Sequence, residues 1–404
     1  MDDSDRHRVG FEEFARMGTA RAQLLSAVTP TDGTERVGLR EADGRVVATA
    51  VEARRPVPHY ERAAVDGYAV RARDTFGASE RSPASLGVGD SVRSGTATRV
   101  HTGSKLPAGA DAVVAAASTD RTGEDLAVFE PVPAGGNVSA VGEDVTGGQR
   151  LFGPGHRLRP SDLGLLKAAG HGPVEVYNRP RVSVLPTGEG IVQSDPGPGE
   201  TVETNGQTVT QYVERWGGQT TDRESVTDDL RAAIERDLDH DVVVTTGGTS
   251  VGGREVVPDV VTEMGEVFAH GVALSPGRSV ALGAVDRTPV LMLPGPPVAC
   301  IVGAVQFLRP ALAAVAHASP TAHPTSEARL TRKVPSEPGV RTFARVALTA
   351  DEDGDGVTAT PTRTGGSGAL ASVALADGWV VVPEAREGYA EGKTVVVEEW
   401  EGCV

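Results

Sequence analysis

The chain has 404 residues, with 55 acidic against 39 basic side chains and a formal net charge of −16 at pH 7. This acidic balance disfavours nucleic acid and anionic membranes as general surface partners, so an anionic ligand would need a local pocket. Two cysteines are too few for a disulfide framework or a cysteine-only metal site. The length is sufficient for about two to four domains, each with a hydrophobic core.

Four of the basic residues are lysine and the rest are arginine. Acid-rich, lysine-poor surfaces are typical of proteins in a salt-rich cytoplasm, where screening relieves repulsion between like charges. We therefore predict a halophilic, cytoplasmic protein, and the first ten residues contain no apolar segment of a secretory signal. The apolar stretch at 298–318 contains Gln306, Arg309 and Pro310, which predicts buried helices and no membrane span.

The first 58 residues predict two helices. Apolar residues recur at helical spacing between Val9 and Val28, as in one amphipathic helix, and turn-forming residues at 30–33 end it. The pattern at 39–51 predicts a second helix, followed by an extended exit at 55–58.

Residues 53–139 consist of short β-type runs separated by Gly, Pro and Ser, which predicts a small β-rich domain. Asp66 and Gly67 form an Asp-Gly pair, whose simplest interpretation is a hairpin turn. His101 has an equally ordinary interpretation as a half-buried residue. Further along, residues 162–170 predict a short helix closed by Gly170.

From Pro180 the sequence alternates between strands and helices, which predicts a parallel sheet in a three-layer α/β domain. Gly- or Pro-rich turns follow three of the predicted strands, at 186–189, 245–250 and 293–297. Because parallel strands present their carboxyl ends at one edge, where ligands bind, these three turns are expected to converge on one pocket.

The turn at 245–250 lies between a β-branched strand at 242–244 and a helix predicted from about Arg254. Free backbone N–H groups and the positive end of the helix dipole suit such a turn to an anion. Gly247 and Gly248 permit close backbone approach, while Thr249 and Ser250 add hydroxyl donors. The turn matches neither the dinucleotide motif nor the P-loop, so an anion site and a plain tight turn both stay open on these residues alone.

Beyond Pro320 the alternation of apolar and polar residues returns and predicts a small all-β domain. The acidic segment at 351–356 superficially suggests a calcium loop. Thr362 stands where such a loop needs a bidentate Glu, so an acidic turn is favoured.

These motifs, in this order and spacing, resemble the molybdopterin molybdenumtransferase family, of the MoeA and gephyrin E-domain type, over nearly the whole chain. Each motif is weak alone, whereas their combination is specific. The motifs that carry the resemblance are Val65-Asp-Gly-Tyr-Ala-Val70, Thr102-Gly103, Pro107-Ala-Gly-Ala-Asp-Ala-Val-Val114, Asn137-Val138, Gly142-Glu-Asp144, Leu163-Gly-Leu-Leu166, Arg179-Pro-Arg-Val-Ser-Val-Leu-Pro-Thr-Gly188, Asn205, Thr246-Gly-Gly-Thr-Ser-Val-Gly252, Ser275-Pro-Gly277, Leu293-Pro-Gly295 and Gly366-Ser-Gly368.

The resemblance implies an elongated homodimer in which the α/β domain of one subunit and the second domain of the other share an active site. The implied reaction takes adenylylated molybdopterin and molybdate, releases AMP and leaves molybdenum on the dithiolene, with Mg²⁺ or another divalent cation. We predict four domains: a mixed linker domain (29–52 and 140–177), a small β-rich domain (53–139), a MogA-like α/β molybdopterin-binding domain (9–28 and 178–320) and a C-terminal β-barrel-like domain (321–404).

The resemblance also implies roles for individual residues. Asp66, Asp144 and Glu255 are the predicted catalytic residues. Carboxylate oxygens suit a hard cation that offsets phosphate charge, and the predicted metal ligands are Glu189, Glu224 and Glu255. The predicted cofactor-binding residues are Thr102, Thr187, Gly188, Gly247, Gly248, Thr249, Ser250, Pro276, Gly277, Arg278, Pro294 and Gly295.

The sequence departs from the family pattern mainly at acidic positions. Glu189 is followed by glycine where the family has a second acid, and Glu203 and Glu224 replace aspartates. Arg278 and Pro296 replace a lysine and an asparagine. Two functions therefore stay open: an insertase with a relocated metal shell, and a non-catalytic or altered-specificity protein that binds or delivers a molybdopterin nucleotide.

Overall fold

The computed structural model describes residues 14–223, 225–226, 229–249, 256–350, 356–362 and 368–402. Its N-terminal part contributes one helix and two short strands, which are α1 (Met17–Ala27), β1 (Thr34–Val37) and β2 (Val51–Glu52). Helix α1 corresponds to the C-terminal part of the helix predicted from Val9.

The helix predicted at 39–51 is wrong. Residues 39–44 form turns that end at Gly44, whose φ of 70° is left-handed and stops any helical continuation. Val46 and Val47 then pair as isolated bridges with Arg157 and Val176. These two residues are β-branched, and extended backbone accommodates them more readily than a helix does.

The small β-rich part forms a six-stranded sheet in the order β7-β4-β6-β5-β9-β8, beside which β10 pairs with β3. Tyr68 and Val70 of β4 pack into one core and Ala69 into another, as alternation along a strand requires. The strands are β3 (Arg62–Ala63), β4 (Gly67–Val70), β5 (Ala84–Val88), β6 (Thr96–Val100), β7 (Ala112–Ala115), β8 (Thr119–Thr122), β9 (Asp125–Val128) and β10 (Val138–Ser139).

The chain then returns to pair with its N-terminal segment through β11 (Arg150–Phe152), α2 (Pro160–Ala168) and β12 (Val174–Tyr177). Strand β11 pairs with β2, and β12 pairs antiparallel with β1. Both segments contribute to one core, which includes Ala42, Val47, Leu158, Leu166 and Val176.

The next part is built on a six-stranded sheet in the order β16-β13-β17-β21-β20-β18. The first four strands are parallel, whereas β20 pairs antiparallel with both β21 and β18, so the expectation of a fully parallel sheet is wrong at this edge. The strands of this sheet are β13 (Arg181–Pro186), β16 (Gln219–Asp222), β17 (Val242–Thr246), β18 (Glu266–His270), β20 (Ala281–Val285) and β21 (Thr288–Leu293). Outside this sheet, β14 (Ile191–Val192) pairs with β15 (Thr201–Val202), and β19 (Leu274–Ser275) pairs with a strand of the C-terminal part.

Helices cover both faces of this sheet. On one face α1 joins α3 (Asn205–Arg215), α6 (Pro297–Gly303) and α7 (Arg309–Val315), and on the other lie α4 (Leu230–Arg236) and α5 (Val256–Met264). A π-helical turn, Ala304–Leu308, joins α6 to α7. Among the described residues, the run Pro297–Val315 is the one helix long and apolar enough to cross a membrane, and 89% of its most apolar window is buried in the protein.

The C-terminal part is a closed barrel of five strands, in which β24, β25, β22, β28 and β26 pair in sequence and β26 pairs back with β24. Strand β19, which belongs to the α/β part, pairs parallel with the start of β24 at one end of the barrel. The elements are β22 (Thr325–Leu330), β23 (Val334–Pro335), β24 (Arg341–Ala350), β25 (Val357–Pro361), α8 (Ala371–Ala374), β26 (Gly378–Val382), β27 (Gly388–Tyr389) and β28 (Thr394–Glu398). The acidic turn predicted at 351–356 lies, up to residue 355, outside the described residues.

Candidate functional site

The three turns predicted to converge do meet in the structure. They follow β13, β17 and β21, which are neighbours in the parallel part of the sheet. The backbone N–H of Thr187 donates to the Thr246 carbonyl at 2.9 Å, and that of Gly247 donates to the Leu293 carbonyl at 2.9 Å. These bonds tie the start of each turn to its neighbour.

Close packing requires glycine at two positions of the central turn. Gly247 has a φ of 103°, and a Cβ there would lie 2.2 Å from the carbonyl oxygen of Thr187. Gly248 has a φ of 67°, and its Cβ would lie 2.5 Å from Cγ2 of Val257. Thr249 beside them is buried, with Oγ1 at 3.5 Å from the Ser279 hydroxyl. The backbone of this turn is therefore fixed by its neighbours.

The third turn presents its backbone more openly. A Cβ on Gly295 would approach the Cα of Gly247 at 3.6 Å, an ordinary contact, and Gly295 is exposed beside the buried Pro294. Asn205, at the start of α3, donates from Nδ2 to the Gly295 carbonyl at 2.7 Å. Helix α3 therefore adds a fourth element to the rim of the site.

The carboxylate of Glu203 is engaged at the N-terminus of α3. It accepts the backbone N–H of Gly206 at 2.7 Å and that of Gln207 at 3.3 Å. A carboxylate at this position satisfies free helix N–H groups and complements the helix dipole. This capping role was not predicted from the sequence, although an acidic residue just before a predicted helix is a recognisable signal for it.

The predicted segment Pro276, Gly277 and Arg278 lies at the junction with the C-terminal barrel. Gly277 has a φ of 122°, and a Cβ there would lie 2.6 Å from Cδ1 of Leu274. The Arg278 guanidinium forms an ion pair with Glu337 and lies 5.8 Å from the ring centroid of Phe14. Arg278 thus has a counter-charge that its sequence context did not reveal.

Asp66 occupies an exposed corner of the small β-rich part. It precedes β4, and Thr102 follows β6, so the antiparallel pairing of Gly67 with Val100 brings the two together. The Thr102 backbone N–H donates to Oδ1 of Asp66 at 2.7 Å and the Thr102 hydroxyl donates at 3.1 Å. These hydrogen bonds hold the pKa of Asp66 below its usual value, and Asp66 is therefore a carboxylate at neutral pH.

The structure separates the remaining predicted site residues. Asp144 is exposed, and its backbone N–H donates to the Val57 carbonyl at 3.0 Å. Glu189 is exposed in the turn after β13, next to Gly188 with its φ of 149°. Glu224, Ser250 and Glu255 lie outside the described residues.

Within the part of the chain that the structure describes, no hydrogen bond or ion pair links Asp66 or Asp144 to the three turns. No group of three or more His, Cys, Asp or Glu side chains there could hold a metal ion. The predicted site residues therefore form two separate groups in one chain: Asp66 with Thr102 in the small β-rich part, and the residues of the three turns at the edge of the α/β sheet.

Three family models match the chain in order. They are the MoeA N-terminal region (domain I and II) at residues 15–170, the "Probable molybdopterin binding domain" at 183–314, and the MoeA C-terminal region (domain IV) at 327–400. A molybdopterin biosynthesis protein of Methanocaldococcus jannaschii is 33% identical over 89% of this chain and 91% of its own length. Molybdopterin molybdenumtransferase 2 of Mycobacterium tuberculosis is 32% identical over 81% of this chain and 85% of its own.

The fold agrees with these matches. The crystal structure of the molybdopterin biosynthesis MoeA protein from Pyrococcus horikoshii superposes with a TM-score of 0.81 at 30% identity, and covers 95% of this chain and 99% of that one. The predicted MogA-like domain and the C-terminal barrel are both present, whereas the exact domain boundaries stay predictions. The resemblance found in the motifs is confirmed, and the chain belongs to the molybdopterin molybdenumtransferase (MoeA) family of molybdenum cofactor biosynthesis.

Proposed function

We propose that this enzyme inserts molybdenum from molybdate into adenylylated molybdopterin and releases AMP. The observation that carries the proposal is the convergence of three turns at the carboxyl edge of β13, β17 and β21, where α/β sheets bind ligands. The names of the curated relatives support the same reaction class. The proposed ligands are a molybdopterin nucleotide and a molybdate ion. The proposed location of the protein is the cytoplasm.

The turns would bind the phosphate-bearing end of the nucleotide through backbone N–H groups. Gly248 and Gly295 have no side chain to cover the backbone, and backbone N–H groups at such turns suit a phosphate oxygen, while the Gly247 N–H is already bonded to the Leu293 carbonyl. Thr187 and Thr249 are buried at the same turns, so their hydroxyls line a fixed wall. We assign Arg278 to the binding of the same phosphate-bearing end. Its guanidinium would leave the ion pair with Glu337 and bind the phosphate instead.

Asp66 would act as a fixed negative charge. General acids and bases work best when their pKa lies near the operating pH, whereas the Thr102 hydrogen bonds keep the pKa of Asp66 low. Asp66 therefore suits the role of a fixed negative charge better than that of a proton-transfer group. We assign the exposed Asp144 to the same part of the site as Asp66.

Because no contact joins Asp66 to the turns among the described residues of one chain, we propose that two subunits complete the site in a homodimer. Sedimentation of the purified protein in molar salt is expected to show a dimer, and a monomer alone would exclude a shared site. Adaptation to high salt, predicted from the charge of −16, would appear as lower stability at low salt.

Within one subunit, the carboxylates that the structure describes do not form a divalent cation site. Glu189 stands alone and Glu203 caps a helix, whereas Mg²⁺ needs several convergent oxygen ligands. A cation site would require Glu224 and Glu255, which lie outside the described residues. We therefore assign no step of the reaction to a metal.

The same engagement of Glu203 favours a second candidate function, a protein that binds or delivers a molybdopterin nucleotide without turnover. A single-turnover assay separates the two. Bound adenylylated molybdopterin should release AMP when molybdate and Mg²⁺ are added to an insertase, whereas a carrier would retain the nucleotide unchanged. Release of AMP is the expected result.

A further inference from the structure

A cavity of about 380 Å³ lies between the α/β part and the C-terminal barrel. Arg21 of α1, Arg309 of α7 and Arg341 of β24 line it, together with His323 and Glu398. It shares no lining residue with the three turns or with the Asp66 corner.

The charge of this cavity is opposite to that of the chain. The cavity is lined by three guanidinium groups and one carboxylate, whereas the whole chain has a formal net charge of −16. Burial, and next the charge of Arg341, lower the pKa of Arg21, whereas the charge of Glu398 raises it. Glu384 and Glu398 offset part of this positive charge, and an anion that enters the cavity would offset more of it.

The nearby carboxylates are already engaged. Glu384 pairs with Arg341 at 3.0 Å, and Glu398 accepts the indole N–H of Trp379 at 2.9 Å. Arg21 is held in place, since its Nε and Nη2 donate to the backbone carbonyl and the side-chain oxygen of Gln306 at 2.9 and 2.6 Å. The guanidinium of Arg21 is thus oriented before any ligand arrives.

The walls of the cavity also contain buried donors that lack acceptors. Nε2 of His323 lies 3.0 Å from Nη1 of Arg309, and because arginine can only donate, Nε2 accepts and the ring proton sits on Nδ1. That Nδ1 and the Nε of Arg341 are buried without a hydrogen-bond partner among the described residues. Both atoms are closed off from the accessible space of the cavity, so the inference rests on the guanidinium groups and not on these two donors.

We infer that this cavity binds a phosphate-type oxyanion, either free or carried by a small molecule. Guanidinium forks are preferred donors to phosphate oxygens, here with only the N–H groups that Gln306 and Glu384 do not already occupy, and a cavity of this volume is in the usual range for small ligands. Because Arg21 and Arg341 belong to different parts of the fold, the anion would join the α/β part to the barrel. Binding should therefore raise the melting temperature.

Calorimetric titration of the full chain, at constant ionic strength in potassium chloride, tests the inference. Inorganic phosphate and glycerol 3-phosphate are the two probes, and tighter binding of one identifies the free ion or the phosphorylated molecule as the ligand. The wild type should bind one equivalent saturably, and Arg21→Gln and Arg341→Gln should each weaken binding at least tenfold. Arg341→Lys, which keeps the charge and loses the fork, replaces Arg341→Gln if that variant does not fold.

Two control variants make the result decisive. Arg93→Gln removes the same charge from an exposed loop of the small β-rich part and should bind as the wild type does. Gly295→Asp places a negative charge among the three turns and should also leave this binding intact. Absence of saturable binding, equal weakening in Arg93→Gln, or a loss confined to Gly295→Asp would overturn the inference, and the last result would place the oxyanion on the turns.

Discussion

The two halves of the proposed site are built in opposite ways. The turns after β13, β17 and β21 offer backbone, and close contacts with Thr187 and Val257 hold Gly247 and Gly248 in place. The Asp66 corner offers one side chain, 60% exposed, that two hydrogen bonds from Thr102 orient. Binding at the three turns therefore depends on the shape of the backbone, whereas the contribution of the Asp66 corner depends on the charge of one side chain.

This difference predicts how each half responds to substitution. A side chain added at a tight turn disturbs the fold itself, whereas a change at an exposed carboxylate leaves the fold intact and changes the chemistry. Substitutions that separate stability from activity can therefore break or sharpen the comparison.

The largest effect is expected for Gly247→Ala. A left-handed φ of 103° is unfavourable for alanine, and the new Cβ would overlap the Thr187 carbonyl oxygen. We expect a loss of at least about 2 kcal/mol in the free energy of unfolding, measured by denaturant titration. Gly295→Ala is the matched control, because its Cβ meets an ordinary contact, and it should change stability by less than about 0.5 kcal/mol.

Equal stability of the two variants would show that the central turn is not held as tightly as its contacts indicate. Gly248 is unsuitable for a test of ligand binding alone, since a branched side chain there would meet Val257 and disturb the fold as well.

Asp66→Asn should leave the fold intact, with at most a small loss of stability, and lower turnover by about 100-fold. The amide oxygen can still accept the Thr102 N–H, so the corner keeps its shape and loses its charge. Nucleotide affinity, measured by calorimetry, should stay within a few-fold of the wild type. Asp90→Asn, an exposed aspartate on the same part of the fold, is the control and should retain full turnover. Unaltered turnover in Asp66→Asn would favour the plain hairpin interpretation of the Asp-Gly pair.

Mixing two inactive variants tests whether the halves come from different subunits. Asp66→Asn and Gly295→Asp damage different halves, so a mixed dimer would contain one intact site if the halves are shared. After subunit exchange in equal amounts, half of the dimers are mixed, and we expect about a quarter of wild-type turnover. Recovery should be absent if each subunit carries a complete site, and each variant exchanged with itself is the control.

The sequence predicted the turn half well, because strand direction follows from the alternation of strands and helices. Three parallel strands place their ends at one edge, and the glycines after β17 lie where the pattern indicated. The antiparallel β20 was missed because its link to β21 was overlooked: two residues, Asp286 and Arg287, are too short for the crossover that a parallel pair needs. The erroneous helix at 39–51 has a similar origin, because Val46 and Val47 find their partners in distant segments.

Contacts across the fold were also beyond the reach of the sequence. Nothing near Arg278 indicates Glu337, and nothing near Arg21 indicates Arg341, because each pair joins different parts of the chain. Asp66 and Thr102 were both identified by family resemblance, while their hydrogen bonds follow from the pairing of β4 with β6. The roles of these residues stay predictions that the variants above test.

The smallest effect is expected for Thr102→Val, which separates the two hydrogen bonds to Asp66. The hydroxyl contact at 3.1 Å is lost, while the backbone N–H at 2.7 Å, the stronger influence on the pKa, remains. The pKa of Asp66 should rise part of the way toward its usual value of 3.8. Because the pKa is lowered in the folded protein, the stabilisation is fully present above pH 3.8 and is lost as the pH falls through the lower value.

Carboxyl-carbon NMR titration of wild type and Thr102→Val measures this shift, and turnover between pH 5 and 8 should be flat with respect to Asp66 in both proteins. We expect turnover to fall by less than about tenfold, since one hydrogen bond to an exposed group is removed. Thr102→Ser, which keeps the hydroxyl, should restore the wild-type titration. If Thr102→Val instead reduced turnover as far as Asp66→Asn does, the threonine hydroxyl itself would contact the substrate, and the second half of the site would depend on two side chains and not on one charge.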